Sequence, residues 1–87
     1  MVKHKKVYTT FFNLDISDRI LCTMCGQEAV DIHHIQPRGM GGSEKDYIEN
    51  LAALCRLCHD KVESSPYLNK KVRVKHLYKV INYLSIE

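Results

Sequence analysis

Residues 22–25 read CTMC, and residues 55–58 repeat the same spacing as CRLC. These two CxxC pairs contain all four cysteines of the chain and are separated by 29 residues, from 26 to 54. Two such pairs are typical of a four-thiolate zinc site, because each pair binds one side of a tetrahedral ion. The alternatives are two disulfides, which conflict with the compartment inferred below, and a redox pair, which lacks its usual βαβ context. We therefore predict a structural Zn²⁺ bound by Cys22, Cys25, Cys55 and Cys58.

The length of the chain makes a zinc site important for folding. A single domain over residues 1–87 has a marginal hydrophobic core, and a structural zinc adds folding free energy directly. A hydrophobic content of 45% argues against disorder. No apolar run reaches the roughly 18 residues of a membrane span, and no apolar segment follows the basic N-terminus as in a secretory signal. We expect a cytoplasmic protein that does not associate with membranes.

The order of predicted elements is that of a treble-clef-like zinc scaffold. Residues 7–20 predict a short helix or an irregular segment before the first CxxC pair. Residues 29–35 predict a strand, and residues 51–54 predict a second strand that pairs with it as a hairpin across a long glycine-rich loop. A helix then runs from Cys55 to about Ser65 and is stopped by Pro66. The fold class that follows is small α+β, organised around zinc and flanked by helices.

The C-terminal segment predicts a basic amphipathic helix over about residues 68–85. Five apolar residues recur at helical spacing and predict its apolar face: Val74, Leu77, Tyr78, Ile81 and Leu84. Lysines at four-residue intervals predict a basic stripe on another face, formed by Lys71, Lys75 and Lys79.

Three of the five histidines are placed where they can act together. His33 and His34 end the first strand, and His59 directly follows Cys58. Because strand and helix are tied to the same zinc, the three imidazoles can converge on one small volume. Neutral imidazole binds divalent transition metals, and a free imidazole can act as a base near pH 7. His4, in a basic tail, and His76, among lysines, are expected to be solvated.

The combined pattern resembles the zinc-stapled form of the HNH nuclease family. The resemblance covers about residues 22–62 and joins the two CxxC pairs to VDIHHIQPRGMGGS (30–43) and IENLAALCRLCHDK (48–61). It implies a ββα-metal fold. The flanks at 1–21 and 67–87 look similar to those of compact phage and bacterial members, which places the protein in a bacterial or phage-infected cell.

The resemblance also implies a role for each matching position. His33 and His59 match the ligands of a catalytic divalent ion, which is separate from the structural zinc and could be Mg²⁺, Mn²⁺, Ni²⁺ or Zn²⁺. His34 matches the general base that deprotonates the attacking water. Asn50 matches the residue that ties the loop and helps to orient that base. The implied activity is hydrolysis of DNA phosphodiester bonds, leaving 5′-phosphate and 3′-hydroxyl ends.

The adjacency of His33 and His34 raises a geometric difficulty, since neighbours on a regular strand point to opposite faces. For both side chains to serve one site, the strand must twist sharply or bulge, or the site must straddle its edge. The sequence leaves these possibilities open. Asp31 is a candidate for a hydrogen bond near the site, without a catalytic role.

Charge is unevenly distributed along the chain. Residues 1–21 carry a net charge of +2, residues 22–66 of −3, and residues 67–87 of +4. We expect the basic flanks to attract the DNA backbone without sequence preference, through counterion release. The candidate contacts are Arg38 in the glycine-rich loop and the stripe of Lys71, Lys75 and Lys79, for which a merely solvated surface is the alternative.

A chain this small has little room for a specificity domain, so we expect nicking or weakly specific cleavage by a monomer or a loose dimer. The main alternative is a non-catalytic zinc module that binds nucleic acid or protein. Such a module needs the cysteines but not His33, His34 and His59 together. A nuclease that acts on RNA is a second alternative.

Overall fold

A two-stranded sheet covered by helices forms the centre of the protein in a computed structural model, which describes residues 3–15, 17–37 and 44–85. The elements follow in the order α1 (Lys3–Phe11), β1 (Asp31–His34), a 3-10 turn (Ile48–Asn50), β2 (Leu51–Leu54), α2 (Arg56–Glu63) and α3 (Pro66–Ser85). The predicted small α+β fold is confirmed. Arg38 and the rest of the glycine-rich segment 38–43 lie outside the described residues. None of the helices described combines the length and the apolar character needed to cross a membrane.

The two strands pair as the antiparallel hairpin that the sequence predicts, although β1 is shorter than residues 29–35. Its register is continuous over four pairs, from Asp31 opposite Leu54 to His34 opposite Leu51. One further backbone hydrogen bond extends the ladder at each end, from Val30 N–H to the Leu54 carbonyl (3.1 Å) and from Ile35 N–H to the Asn50 carbonyl (2.9 Å). The strand therefore reaches His34 with regular alternation of its side chains.

Strand β2 is buried on both faces, and all four of its side chains are 0% exposed. On one face, Ala52 and Leu54 join a cluster completed by Cys22, Ile35, Val62 and Val72. On the other face, Leu51 and Ala53 join a cluster completed by Tyr8, Phe12 and Val80. An isolated hairpin is marginally stable in water, so the stability of this hairpin depends on the two hydrophobic clusters. Helix α3 contributes to both clusters, and α1 to the second.

The buried face of α3 differs from the predicted one. Val72, His76 and Val80 are buried at four-residue intervals, whereas Val74, Tyr78, Ile81 and Leu84 are each more than half exposed. The prediction was wrong because apolar periodicity alone does not reveal which face meets the sheet. His76, expected to be solvated, is 0% exposed, and its Nε2 lies 2.6 Å from the Ile48 carbonyl. Burial lowers the pKa of His76, so the neutral ring donates this hydrogen bond.

Helix α1 begins earlier than residues 7–20 predict, and it is anchored by Tyr8 and Phe12. Burial raises the pKa of Tyr8 to about 12. Lys79 Nζ lies 3.0 Å from the Tyr8 hydroxyl and 5.3 Å from the centre of the Phe12 ring. This lysine is half-buried, and desolvation lowers its pKa. The side chain of Lys79 therefore packs from α3 against the α1 segment, whereas Lys71 and Lys75 are exposed.

Candidate active site

The first CxxC pair forms a tight turn closed by backbone hydrogen bonds. Cys22 N–H donates to the Gln27 carbonyl (2.6 Å), and Gly26 N–H donates to the Cys22 carbonyl (3.0 Å). Gly26 has a φ of +80°, a conformation that glycine adopts without steric cost. The turn presents the sulfur atoms of Cys22 and Cys25 toward the start of α2.

All four cysteines are free thiols whose sulfur atoms lie within 4.8 Å of one another. Cys25 Sγ and Cys55 Sγ are 3.7 Å apart, close to the roughly 3.8 Å separation of two thiolates bound to one tetrahedral zinc. Burial opposes ionisation of Cys22, but backbone hydrogen bonds at Cys55, Cys25 and Met24 lower its pKa to about 6. Burial and the neighbouring thiols raise the pKa of Cys58 to about 12. Because one thiolate hinders ionisation of the next, four thiolates require a shared cation, and this donor set fits structural zinc.

The second CxxC pair fixes His59 at the start of α2. Cys55 is the N-cap residue of this helix: its sulfur accepts from Cys58 N–H (3.4 Å), and its carbonyl accepts from His59 N–H (2.9 Å). His59 Nδ1 lies 2.9 Å from an Asp31 carboxylate oxygen, and Arg56 contacts the other oxygen at 3.1 Å. The candidate hydrogen bond of Asp31 is thus present, and it leaves His59 Nε2 facing Glu63, 3.7 Å away.

His33 joins His59 and Glu63 in a cluster on the α2 side of the sheet. The ligand atoms of the three residues lie within 4.8 Å of one another, and the two imidazole ring centres are 5.0 Å apart. Burial lowers the pKa of His33, which favours the neutral imidazole that metals bind. Two imidazoles and one carboxylate suit a divalent transition metal and leave coordination positions open. Sequence reasoning missed Glu63, although its position four residues after His59 on one helix face was a readable signal.

Asn69 connects His33 to α3. Its Oδ1 lies 2.8 Å from His33 Nε2, and its Nδ2 donates to the Ile35 carbonyl at 2.8 Å. Asn69 therefore holds the His33 ring from a helix outside the CxxC scaffold.

His34 lies on the opposite, α1 side of the sheet. Its Nε2 is 2.7 Å from an Asp46 carboxylate oxygen, and the Asp46 side chain is 0% exposed. The ring of His4 meets the ring of His34 edge-on, with centres 4.8 Å apart. The expectation that His4 is solvated was wrong, because α1 lays it against β1. The role of Asp46 could not be predicted from the sequence, because Asp46 lies 12 residues after His34 and beyond the glycine-rich segment.

Both histidines border one groove at the end of β1. The groove has a volume of about 460 Å³, and its lining includes His33, His34, His59, Glu63 and Asn69. Since the strand register is regular up to His34, a bulge is not needed to bring the two rings to this groove. The groove straddles the strand end, which is one of the possibilities that the sequence leaves open.

Asn50 lies behind the groove and is only 3% exposed. Its Oδ1 accepts from Gln36 N–H (2.7 Å), and its Nδ2 donates to the carbonyls of Gln36 and Lys45 (both 2.9 Å). These bonds join the two ends of the loop just before Asp46. The contacts hold the backbone on both sides of the loop, and Asp46, which contacts His34, follows directly.

A second groove continues from the first toward α3. It shares Ile35, Pro37 and Asn69 with the first groove, and α3 lines it with Lys70 and Arg73. Lys71 lies over the Tyr67 ring, 5.5 Å from its centre, and Lys75 lies beside Phe12 and Tyr83. The basic residues nearest the histidines on α3 are therefore Lys70 and Arg73, one residue before and two after the predicted Lys71.

A family model described as HNH endonuclease matches residues 22–65, which is half of the chain. The matched segment contains both CxxC pairs, both strands and α2. Searches of curated proteins and of solved structures return no match.

Proposed function

The chain belongs to the HNH endonuclease family, and on this premise we propose that it hydrolyses DNA phosphodiester bonds with one divalent ion and His34 as general base. The observation that carries the proposal is the shared groove at the end of β1. His33, His59 and Glu63 line it from one side of the sheet, and His34 lines it from the other.

His33, His59 and Glu63 are the residues that would hold the ion, which when bound supplies Lewis-acid stabilisation of the phosphate and the leaving oxygen. Asp31 accepts the hydrogen bond from His59 Nδ1 and so fixes the tautomer of the ligand. Asn69 restrains the His33 ring from α3 in the same way. These partners orient both imidazoles before substrate arrives.

His34 would take the proton from the attacking water. We infer from the short contact with Asp46 that His34 Nε2–H donates to the carboxylate, which leaves Nδ1 as the proton acceptor. As the ring becomes positively charged, the buried carboxylate of Asp46 stabilises it. General-base catalysis of this kind contributes on the order of 10²–10⁴ in rate.

DNA would lie along the two connected grooves, with the scissile phosphate at the end of β1. Lys70 and Arg73 would contact the phosphates beyond it, because they line the continuation of the groove. Lys71 and Lys75 remain candidates for longer-range attraction, and Arg38 for a contact from the glycine-rich loop.

Nicking of supercoiled plasmid by the full chain, with Mg²⁺, Mn²⁺ or Ni²⁺ added separately, tests the proposal. We expect cleavage by the wild type with at least one ion, ligatable 5′-phosphate ends, and a loss of about 10²–10⁴ in rate for His34→Ala. A parallel single-stranded RNA substrate tests the RNA alternative. Binding without cleavage under every ion would favour the non-catalytic zinc module, and an unchanged rate in His34→Ala would exclude His34 as the base.

A further inference from the structure

A second group of metal-ligand side chains lies on the α1 side of the sheet. The ligand atoms of His4, His34 and Asp46 lie within 4.8 Å of one another. His34 Nε2 and Asp46 Oδ1 are 2.7 Å apart, and His4 packs edge-on against His34. Two imidazoles and one carboxylate form a donor set that zinc prefers.

The position of His4 is set by the core. His4 and Tyr8 lie four residues apart on one face of α1, and Phe12 follows directly after the helix at the next four-residue interval. Tyr8 is 0% and Phe12 is 8% exposed, so this face is anchored against β2 and α3. His4 is the first of these three residues, and it packs against His34 at the end of β1.

The geometry needs little change to accept an ion. Zinc bonds of about 2.0–2.1 Å place two tetrahedral ligands about 3.3 Å apart. The contact of 2.7 Å between His34 and Asp46 would therefore open by about 0.6 Å. The Asp46 side chain is 0% exposed and that of His34 is 14% exposed, so an ion there would be largely shielded from water.

We propose that His4, His34 and Asp46 form a second divalent-cation site, selective for zinc over magnesium, whose occupancy inhibits the nuclease. An ion bound at His34 Nε2 would replace the hydrogen bond to Asp46 and shift the ring proton to Nδ1, which could then no longer accept a proton from water. The site is separate from the His33, His59 and Glu63 cluster, since the two groups lie on opposite faces of β1. The inhibition rests on the proposed function, whereas the binding does not.

Zinc stoichiometry of the full chain tests the binding. Equilibrium dialysis followed by metal analysis should give three zinc ions for the wild type: one at the cysteines and one on each face of β1. His4→Gln and Asp46→Asn should each bind the third ion more than about 100-fold more weakly, because loss of a residue that merely supports a ligand already costs about 10–100-fold. Lys6→Gln, exposed on the same helix, is the control and should bind three.

His4→Cys provides a variant that keeps a zinc ligand and should retain the third ion, which separates lost ligation from misfolding. Equal stoichiometry in wild type and His4→Gln, with both folded by circular dichroism, would overturn the proposal. So would failure of His4→Cys to retain the third ion in a folded protein.

Zinc titration into the plasmid assay with Mn²⁺ tests the inhibition, with each variant normalised to its own rate before zinc. We expect the zinc concentration for half-inhibition to rise at least tenfold in His4→Gln and to stay unchanged in Lys6→Gln. Equal inhibition of wild type and His4→Gln would overturn the inhibitory role. If the wild type fails to cut with every metal tested, the proposed function fails. The zinc stoichiometry still decides whether the second site binds an ion.

Discussion

The two faces of the hairpin at its His33–His34 end carry different chemistry. The α2 face groups His33 with His59 and Glu63, and the α1 face groups His34 with Asp46 and His4. The two groups are built on consecutive residues of β1, whose side chains point to opposite faces because side chains alternate along a strand. The comparison teaches that two residues adjacent in sequence, here the proposed metal ligand and the proposed base, can approach one groove from opposite sides.

The two faces also depend on different supports. The α2 face is tied to the cysteines through Cys55, which caps the helix that carries His59 and Glu63. The α1 face is held by the Asn50 hydrogen bonds that close the loop before Asp46, and by the buried stripe of α1. Substitutions can therefore disturb one face, the other, or both.

The largest expected effect is unfolding of the protein, which disrupts both faces together. Cys55→Ser removes one of the four proposed zinc ligands, and structural zinc contributes an apparent 10–16 kcal/mol or so in small zinc domains. We expect loss of stoichiometric zinc and of amide dispersion in NMR spectra. The control is Leu57→Ser, an exposed position between Cys55 and Cys58, which should stay folded. A dispersed spectrum for zinc-free Cys55→Ser would contradict a structural role for the ion.

The next effect is confined to the α2 face. Glu63→Gln removes one proposed ligand and should weaken divalent-ion binding at this face by about 10–100-fold. Nicking should then require more Mn²⁺ and recover when Mn²⁺ is raised. Asp60→Asn, which removes an exposed carboxylate of the same helix that lines neither groove, is the control. The same Mn²⁺ dependence in both variants would remove Glu63 from the metal site.

A smaller effect separates the two sets of basic residues on α3. Replacing Lys70 and Arg73 with glutamine should weaken DNA binding on the order of tenfold and reduce the salt slope by about one per lost phosphate contact. The charge-matched pair Lys71→Gln and Lys75→Gln should change binding less, because these residues lie away from the continuous groove. Equal effects would indicate general attraction rather than a path along the groove. Deleting α3 is unsuitable as a test, since it removes Val72, His76 and Val80 from the core.

The smallest effect concerns stability against pH. The lowered pKa of buried His76 means that the unfolded chain binds a proton more readily than the native protein. Its contribution to stability is complete above the unfolded pKa of about 6.5 and is lost as pH falls through the lower native value. Urea unfolding should therefore show a shallower loss of stability between pH 7 and 5 in His76→Gln, by up to about 1.4 kcal/mol per pH unit. Identical pH slopes would show that His76 is not buried neutral.

The parts of the fold that sequence predicts are those with local chemical causes. The CxxC spacing predicts the thiol cluster, and the residues that follow predict α2 with Cys55 at its start. The apolar run 51–54 predicts β2 as the partner of the first strand. These features depend on a few neighbouring residues, so periodicity and spacing suffice.

The features that sequence reasoning missed depend on long-range packing. His76 is buried because the 3-10 turn brings the Ile48 carbonyl to α3, and the exposed apolar residues of α3 mask this arrangement. His4 and Asp46 meet at His34 from 30 residues before it and 12 residues after it. Glu63 was the exception, since its helical spacing from His59 was already visible in the sequence.

The separation of metal ligand and base is tested most directly by measuring Mn²⁺ binding and plasmid nicking together in His34→Ala and His59→Ala. We predict that His34→Ala keeps Mn²⁺ binding at the His33, His59 and Glu63 cluster while nicking falls by about 10²–10⁴. His59→Ala should lose both. Loss of Mn²⁺ from the His33, His59 and Glu63 cluster in folded His34→Ala, or wild-type nicking in either variant, would contradict the proposed separation of roles between the two faces.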